Sequence, residues 1–377
     1  MTSFSFARLA AMMLKEFIQL RRDRLTFAMM IGVPLLQLTL FGFAINSDPK
    51  SLPTIVVAQE QGVFTRSIVR AMENTGYFRV VQVTGDPGAA DSALAGGEAQ
   101  FALTVPVGFA RALQRGERPQ LLVEADATDP AATGNAIAAL QQLAGSALQH
   151  DLVGALARPP GAGAPFDLVI QRRYNPEGVT QYNVVPGLMG VILTMTMIMM
   201  TALGITREVE RGTMENLLAT PVQAAEVMVG KIAPYIVIGY VQVAVVLLAA
   251  RWLFSVPFVG NLGLLLLGTL VFIAANLTVG ITVSSVARNQ TQAMQMTFFF
   301  FLPSILLSGF MFPFRGMPGW AQAIGEVLPL THFLRIVRGV MLKGNSVADL
   351  WPQIWPLLIF IAVMMGVGLQ RFRRTLD

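Results

Sequence analysis

Six long stretches of the chain contain no Asp, Glu, Lys or Arg, and each runs for 19 or more residues. A helix that rises about 1.5 Å per residue needs about 20 apolar residues to cross the ~30 Å hydrocarbon layer of a bilayer. Each stretch therefore predicts a transmembrane helix, and a long block separates the first stretch from the other five. The spans are predicted at 25–46, 178–206, 232–251, 262–287, 289–313 and 350–370.

The block between the first two spans, 47–177, has the pattern of a folded domain. Strand-like segments at 52–59, 78–84, 100–107, 120–126 and 166–174 alternate with helical segments, which is typical of a mixed sheet covered by helices. The predicted fold is a polytopic α-helical membrane protein with six transmembrane helices and an α/β extracytoplasmic domain inserted between helices 1 and 2.

The first 24 residues have a helical stripe of apolar residues. Phe6, Leu9, Met13 and Phe17 recur at spacings of three and four, and cations occupy the opposite face. This pattern predicts an amphipathic helix at 1–24 that lies on the inner leaflet of the membrane, with its cations near anionic lipid headgroups.

Basic residues also set the expected orientation. The segment before the first span and the tail at 371–377 are both rich in Lys and Arg, so the positive-inside rule places both termini in the cytoplasm. The connection at 207–231 then lies inside, and 47–177 and 314–349 lie outside. The last of these has the wrong bias for an outer segment, with Arg315, Arg335, Arg338 and Lys343. We expect short interfacial helices there, from which long basic side chains snorkel to the headgroups.

The composition excludes several classes of protein. Hydrophobic residues make up 54% of the chain and charged residues 13%, and the net charge of +5 comes from cations that flank the spans. A nucleic-acid partner is therefore not expected. With no Cys, and two His residues without metal-ligand spacing, no metal site and no catalytic residue is predicted.

Four amides lie inside predicted spans, where an unpaired amide is costly: Gln37, Gln242, Asn276 and Gln295. Either hydrogen bonds between helices or contacts along a substrate path would explain them. The span interiors contain no ionisable side chain, which argues against proton- or sodium-coupled carriers.

The connection between the second and third spans carries the most specific motif. Its sequence, REVERGTMENLLATPV followed by GK, resembles the coupling segment of type-2 ATP-binding-cassette (ABC) exporter permeases. The sequence at 15–46 resembles that family's entry helix and first span, and LPLTHFLRIVRGVML resembles its outer re-entrant region. The sequence at 102–130 resembles the large extracytoplasmic domain of a bacterial multidrug branch.

The resemblance implies a permease subunit that exports hydrophobic or amphipathic compounds across the bacterial inner membrane. Its partners would be a separate ABC ATPase that binds ATP and Mg²⁺, a second permease half in a homodimer or heterodimer, membrane lipids and a periplasmic adaptor. This chain has no phosphate-binding loop of its own. The ATPase contact implied is Arg207, Glu208, Glu210, Arg211, Gly212, Thr213 and Glu215, and the outer re-entrant region includes Glu326, Pro329, His332 and Arg335.

Two other functions are compatible with parts of this pattern. An ABC-type mechanotransmission protein would share the coupling segment but would regulate periplasmic partners without transport. A membrane enzyme would need an acid/base pair, for which His332 with Glu326 is the candidate.

Overall fold

A computed structural model describes residues 48–154, 163–210 and 224–374. Several predictions concern residues outside these ranges. They are the amphipathic helix at 1–24, the span at 25–46 with Gln37, and the coupling residues Arg211, Gly212, Thr213 and Glu215.

The block after the first predicted span forms a five-stranded mixed sheet, as predicted. Its strands are β1 (Leu52–Ala58), β2 (Phe78–Thr84), β3 (Phe101–Val105), β4 (Gln120–Asp126) and β5 (Asp167–Arg173). The strand order is β2-β1-β3-β4-β5, in which β3 and β4 pair antiparallel and the other neighbours pair parallel. We call residues 48–154 together with 163–173 the sheet domain.

Helices cover both faces of this sheet. They are α1 (Val63–Asn74), α2 (Gly88–Gly96), α3 (Phe109–Gln114) and α4 (Pro130–Leu143). The larger core joins one sheet face to α1, α3 and α4 around Phe101, Phe109 and Phe166, and the smaller one packs α2 against Ile55 and Val57. Since β1 lies between two parallel neighbours, it is buried along its whole length.

The second half of the described chain is helical. Its long helices are α5 (Thr180–Glu210), α6 (Ala224–Trp252), α7 (Leu262–Val286), α8 (Gln290–Leu307) and, after two shorter helices, α11 (Val347–Arg374). Among the described residues, four segments are long and apolar enough to cross a membrane: Thr180–Glu208, Pro234–Trp252, Leu262–Val286 and Val347–Gly368. Exposed apolar side chains recur every four residues on α6, at Val237, Val241 and Val245, as expected of a face toward lipid.

The fifth predicted span differs from the structure. Helix α8 has 18 residues and ends at Leu307, whereas the span was predicted to reach 313. Gly309 follows with a φ of +85°, a left-handed conformation that ends helices and suits glycine. Helix α8 is not among the four segments above, so the count of six spans stays a prediction.

Two short helices precede α11, namely α9 (Gly319–Val327) and α10 (Pro329–Arg338), and a π-helical turn at Gly339–Lys343 follows them. The apolar residues of helix α10 are enclosed by other helices, and the re-entrant or interfacial character of 314–349 stays a prediction. Phe333 is fully buried and stacks on Phe272 of α7 with 4.1 Å between ring centroids. Gly190 of α5 makes room for this contact, since a Cβ there would lie 2.7 Å from Leu330 and 3.0 Å from Phe333.

Candidate functional site

Of the residues predicted to contact the ATPase, the structure describes Arg207, Glu208 and Glu210, in the last turn of α5. Glu210 accepts two hydrogen bonds from Gln290, the first residue of α8: 2.9 Å from its backbone N–H and 2.6 Å from Nε2. Arg207 donates from Nε to Gln290 Oε1 at 3.4 Å. A carboxylate at a helix N-terminus is electrostatically favourable. The end of α5 and the start of α8 are therefore bonded directly to each other.

The predicted path amides are placed separately. Gln242 on α6 accepts a hydrogen bond of 2.9 Å from Thr196 on α5, so it links two helices. Asn276 on α7 is fully buried, and its Nδ2 donates to Phe272 O of its own helix at 2.9 Å. Gln295 is half-buried on α8. None of the three lines the cavity described below.

The four residues predicted for the outer re-entrant region are brought together around α10. Arg335 donates to both carboxylate oxygens of Glu326, at 2.9 and 2.6 Å. His332 contacts the Glu326 backbone oxygen through Nε2 at 2.8 Å, and Gln353 of α11 through Nδ1 at 2.9 Å. Pro329 occupies the first turn of α10, where its missing N–H costs nothing.

This cluster is arranged for structure rather than for acid/base chemistry. Burial tends to raise the pKa of Glu326, but the hydrogen bonds and charge of Arg335 outweigh it and hold that pKa below its usual value. The carboxylate thus stays charged and engaged by Arg335, while His332 meets a backbone carbonyl. Nor do the described residues contain a group of three or more potential metal ligands. The geometry gives no support to a membrane enzyme.

A second set of contacts fastens the sheet domain to the segment 314–349, and sequence reasoning missed it; because this segment is predicted to lie outside, we call its helices α9 and α10, with the turn that follows them, the outer helices. Lys343 of the π-helical turn donates to Asp126 Oδ2 at 2.6 Å and to Leu94 O at 2.9 Å. Nearby, Arg315 donates to Gly97 O at 2.9 Å and Asn345 to Ala95 O at 3.2 Å. We call these contacts, from the π-helical turn and Arg315 to α2 and β4, the junction.

The expectation that these cations snorkel to lipid headgroups is therefore wrong for Arg315, Lys343 and Arg338. The last donates to Asn183 Oδ1 of α5 at 2.6 Å and to Gly309 O at 3.2 Å. A sign of these contacts was present in the sequence, as an excess of cations in 314–349, a segment predicted to lie outside. Its cause is a set of acceptors on the sheet domain and on neighbouring helices, which the local sequence does not reveal.

Helices of membrane-spanning length, bonded through charged side chains to a folded α/β domain, have the architecture of a polytopic membrane protein. The chain belongs to the family described as ABC-2 family transporter proteins, whose sequence model matches residues 24–369. Membership implies an ATPase partner and a second permease half.

Three relatives show how far the similarity extends. "Probable multidrug ABC transporter permease YbhR" from Escherichia coli is 28% identical over 98% of this chain and 99% of its own length. "Probable multidrug ABC transporter permease YbhS" from the same organism is 27% identical, over 99% and 98%. "Inner membrane transport permease YhhJ", also from Escherichia coli, is 28% identical over 91% and 93%. These names describe transport permeases and do not favour a non-transporting mechanotransmission protein.

Proposed function

We propose that this chain is the permease subunit of an ATP-driven exporter that moves hydrophobic or amphipathic compounds out of the cytoplasm or the inner leaflet. In this proposal the chain crosses the bacterial inner membrane six times with both termini in the cytoplasm. A separate ATPase binds ATP and Mg²⁺, and a second permease half, identical or different, completes the transporter. The sheet domain lies outside, where it can meet a periplasmic adaptor protein.

The bond between α5 and α8 is the observation that supports this mechanism. Residues 207–215 resemble the segment that an ATPase contacts in these exporters. In the structure, Glu210 of that segment accepts two hydrogen bonds from Gln290. A displacement of the end of α5 by the ATPase would thus be transmitted directly to the start of α8 through these hydrogen bonds. Coupling of this kind requires elements that move together.

At the other end of the bundle, the same helix bears on the outer helices. Arg338 of α10 bonds to Asn183 in the first turn of α5 at 2.6 Å, and α10 packs on Gly190 about two turns further along. Helix α5 has 31 residues and spans roughly 46 Å at 1.5 Å per residue. One uninterrupted helix therefore connects the proposed ATPase contact to the proposed exit side.

The first test is co-purification of the tagged chain from its native membrane. We expect an ABC ATPase to accompany it in equal amount, and the double charge reversal Glu208→Lys with Arg211→Glu to abolish this association. The matched control is Gln61→Ala, at an exposed position in the sheet domain. Recovery of the intact chain with no ATPase, or with an ATPase that survives the charge reversal, would contradict the proposed contact.

Coupling is tested separately from binding. The variant Gln290→Ala removes the side-chain donor to Glu210 and the acceptor of Arg207 and changes no proposed ATPase contact, while the backbone N–H of residue 290 can still bond to Glu210. We expect it to retain the ATPase on purification and to lose part of the resistance to a panel of amphipathic toxic compounds in a strain that depends on this exporter. If Gln290→Ala and Gln61→Ala give equal resistance, the side-chain bond between Gln290 and Glu210 does not couple α5 to α8.

A further inference from the structure

A cavity of about 450 Å³ lies between the sheet domain and the outer helices, beside the junction. Its walls come from the C-terminal end of α2, the start of α4, the loop after α8, and α10 with the turn that follows it. This volume is in the range of sites that hold small molecules. Unlike a typical apolar pocket, it is lined by several charged side chains.

Two of the cations in this wall have neutral hydrogen-bond partners. Arg338 bonds to Asn183 Oδ1 and Gly309 O, and Arg315 bonds to Gly97 O. Burial lowers the pKa of both guanidinium groups; Asp129 and Asp126 act in the opposite direction on Arg338. Both arginines are half-buried, and a partly desolvated cation bonded to neutral oxygens is stabilised by an anion brought into the same space.

The acidic side chains of the wall are mostly engaged elsewhere. Asp126 is bonded by Lys343, and Glu326 by Arg335. The Asp129 carboxylate accepts from Ala131 N at 3.1 Å, at the start of α4, and Asp349 accepts from Ser346 at the start of α11. Glu98 also lines the cavity but is exposed. In the part of the chain that the structure describes, Arg338 and Arg315 therefore have no carboxylate bonded to them, although Asp129 and Asp126 contribute negative charge near Arg338.

Unsatisfied polar atoms point to a ligand with hydrogen-bonding groups. Gln100 Oε1, Asn345 Oδ1 and Arg338 Nε are buried, and none has a hydrogen-bond partner within the described ranges. All three residues line this cavity. A buried polar atom without a partner costs about 1–3 kcal/mol. Two acceptors and one charged donor around one space suit a molecule that carries both donors and negative charge.

We propose that this cavity binds a small hydroxylated anion, of the chemical class of a glycerol phosphate. Arg338 and Arg315 supply positive charge for the phosphate, and the Gln100 and Asn345 amide oxygens accept hydrogen bonds from the hydroxyl groups. Two sources can present this chemistry: a free hydroxylated phosphate, or the headgroup of an anionic lipid such as phosphatidylglycerol. Binding is measured on the permease alone, so its failure would be distinct from a failure of export.

The test uses the full chain in two forms. In detergent, glycerol 3-phosphate is titrated calorimetrically. In nanodiscs, retention of phosphatidylglycerol is compared with that of phosphatidylcholine. We expect Arg338→Gln to weaken the probe that binds by about tenfold or more, since a charge-assisted hydrogen bond is lost. Arg70→Gln, an exposed arginine on α1, is the matched control and should bind like wild type.

Each outcome decides one point. Binding of glycerol 3-phosphate identifies a soluble ligand, and selective retention of phosphatidylglycerol alone identifies a lipid headgroup. Arg338→Gln also loses the bond to Asn183 and could fail to fold for that reason. In that case Arg315→Gln and Asn345→Ala are compared with the wild type for binding of the same probes. Absence of binding by both probes, or binding unchanged by all of these variants, would overturn the proposal.

Discussion

The ion pair at the junction is expected to hold the sheet domain on the outer helices. Lys343 Nζ lies 2.6 Å from Asp126 Oδ2, and each side chain keeps 9% of its surface exposed. Thr128 also bonds to Asp126 through its backbone N–H at 3.1 Å and its hydroxyl at 2.8 Å. Removing one partner of a buried pair costs about 3–5 kcal/mol, because the other charge is left buried.

The perturbation is Lys343→Met, which keeps most of the side-chain volume and removes the charge. The cost falls on the docked state of the domain, so the π-helical turn should open more often. At about 1.4 kcal/mol per factor of ten, native-state hydrogen exchange at Asn345 N–H, which bonds to Gly339 O, should accelerate by about a hundredfold or more. The double variant Asp126→Asn with Lys343→Met should recover part of this loss, since no buried charge remains.

The matched control is Arg118→Met. Its ion pair with Asp167 has nearly the same length, 2.7 Å, but the two side chains are 50% and 47% exposed. Pairs of this kind contribute less than about 1 kcal/mol, so exchange should change by less than about fivefold. Equal acceleration in Lys343→Met and Arg118→Met would refute the assignment of docking energy to the buried pair.

Three further predictions follow from single contacts. The charged carboxylate of Glu326 stabilises the folded protein, because folding lowers its pKa. This stabilisation is complete above the unfolded pKa of about 4.3 and is lost as the pH falls through the folded pKa. Thermal melts of Glu326→Gln should therefore show less destabilisation by acid than those of the wild type. Gly280→Ala should lower stability by about 1–3 kcal/mol, because the new Cβ would lie 2.9 Å from the Ile198 backbone oxygen. Gly366→Ala is the control: its Cβ would meet nothing within 4 Å, so it should be neutral in the same thermal melts. Asn276→Leu should leave the profile of exported compounds unchanged in resistance assays, because the side chain is fully enclosed; a changed profile would return it to the substrate path.

The sheet domain shows how much local pattern can predict. Strands β2 and β4 have the predicted bounds, 78–84 and 120–126, because β-branched residues and flanking turns determine strands locally. Which strands pair antiparallel, and the order of the strands in the sheet, could not be predicted from the sequence, because both depend on contacts between distant segments. The end of α8 was missed because Phe310 and Met311 continue the apolar pattern past the left-handed Gly309.

The outer helices show where local pattern misleads. The amphipathic character of α10 predicts a surface helix, yet its apolar face is buried on Gly190 and Phe272. A groove made by a glycine in another helix cannot be read from the sequence of α10. The cluster of Glu326, His332 and Arg335 could be anticipated from spacing on α9 and α10, whereas its contact with Gln353 could not.

The junction also determines the order in which parts of the structure can assemble during synthesis. Lys343 and Asp126 are 217 residues apart in the chain, while the described residues of the larger core of the sheet domain lie between Leu52 and Ile170. During synthesis that core can form early, because N-terminal units generally fold first. The acceptor Asp126 on β4 is therefore synthesised 217 residues before Lys343, the cation that bonds to it. Until α10 and its following turn are in place, the folded domain lacks the contacts of the junction.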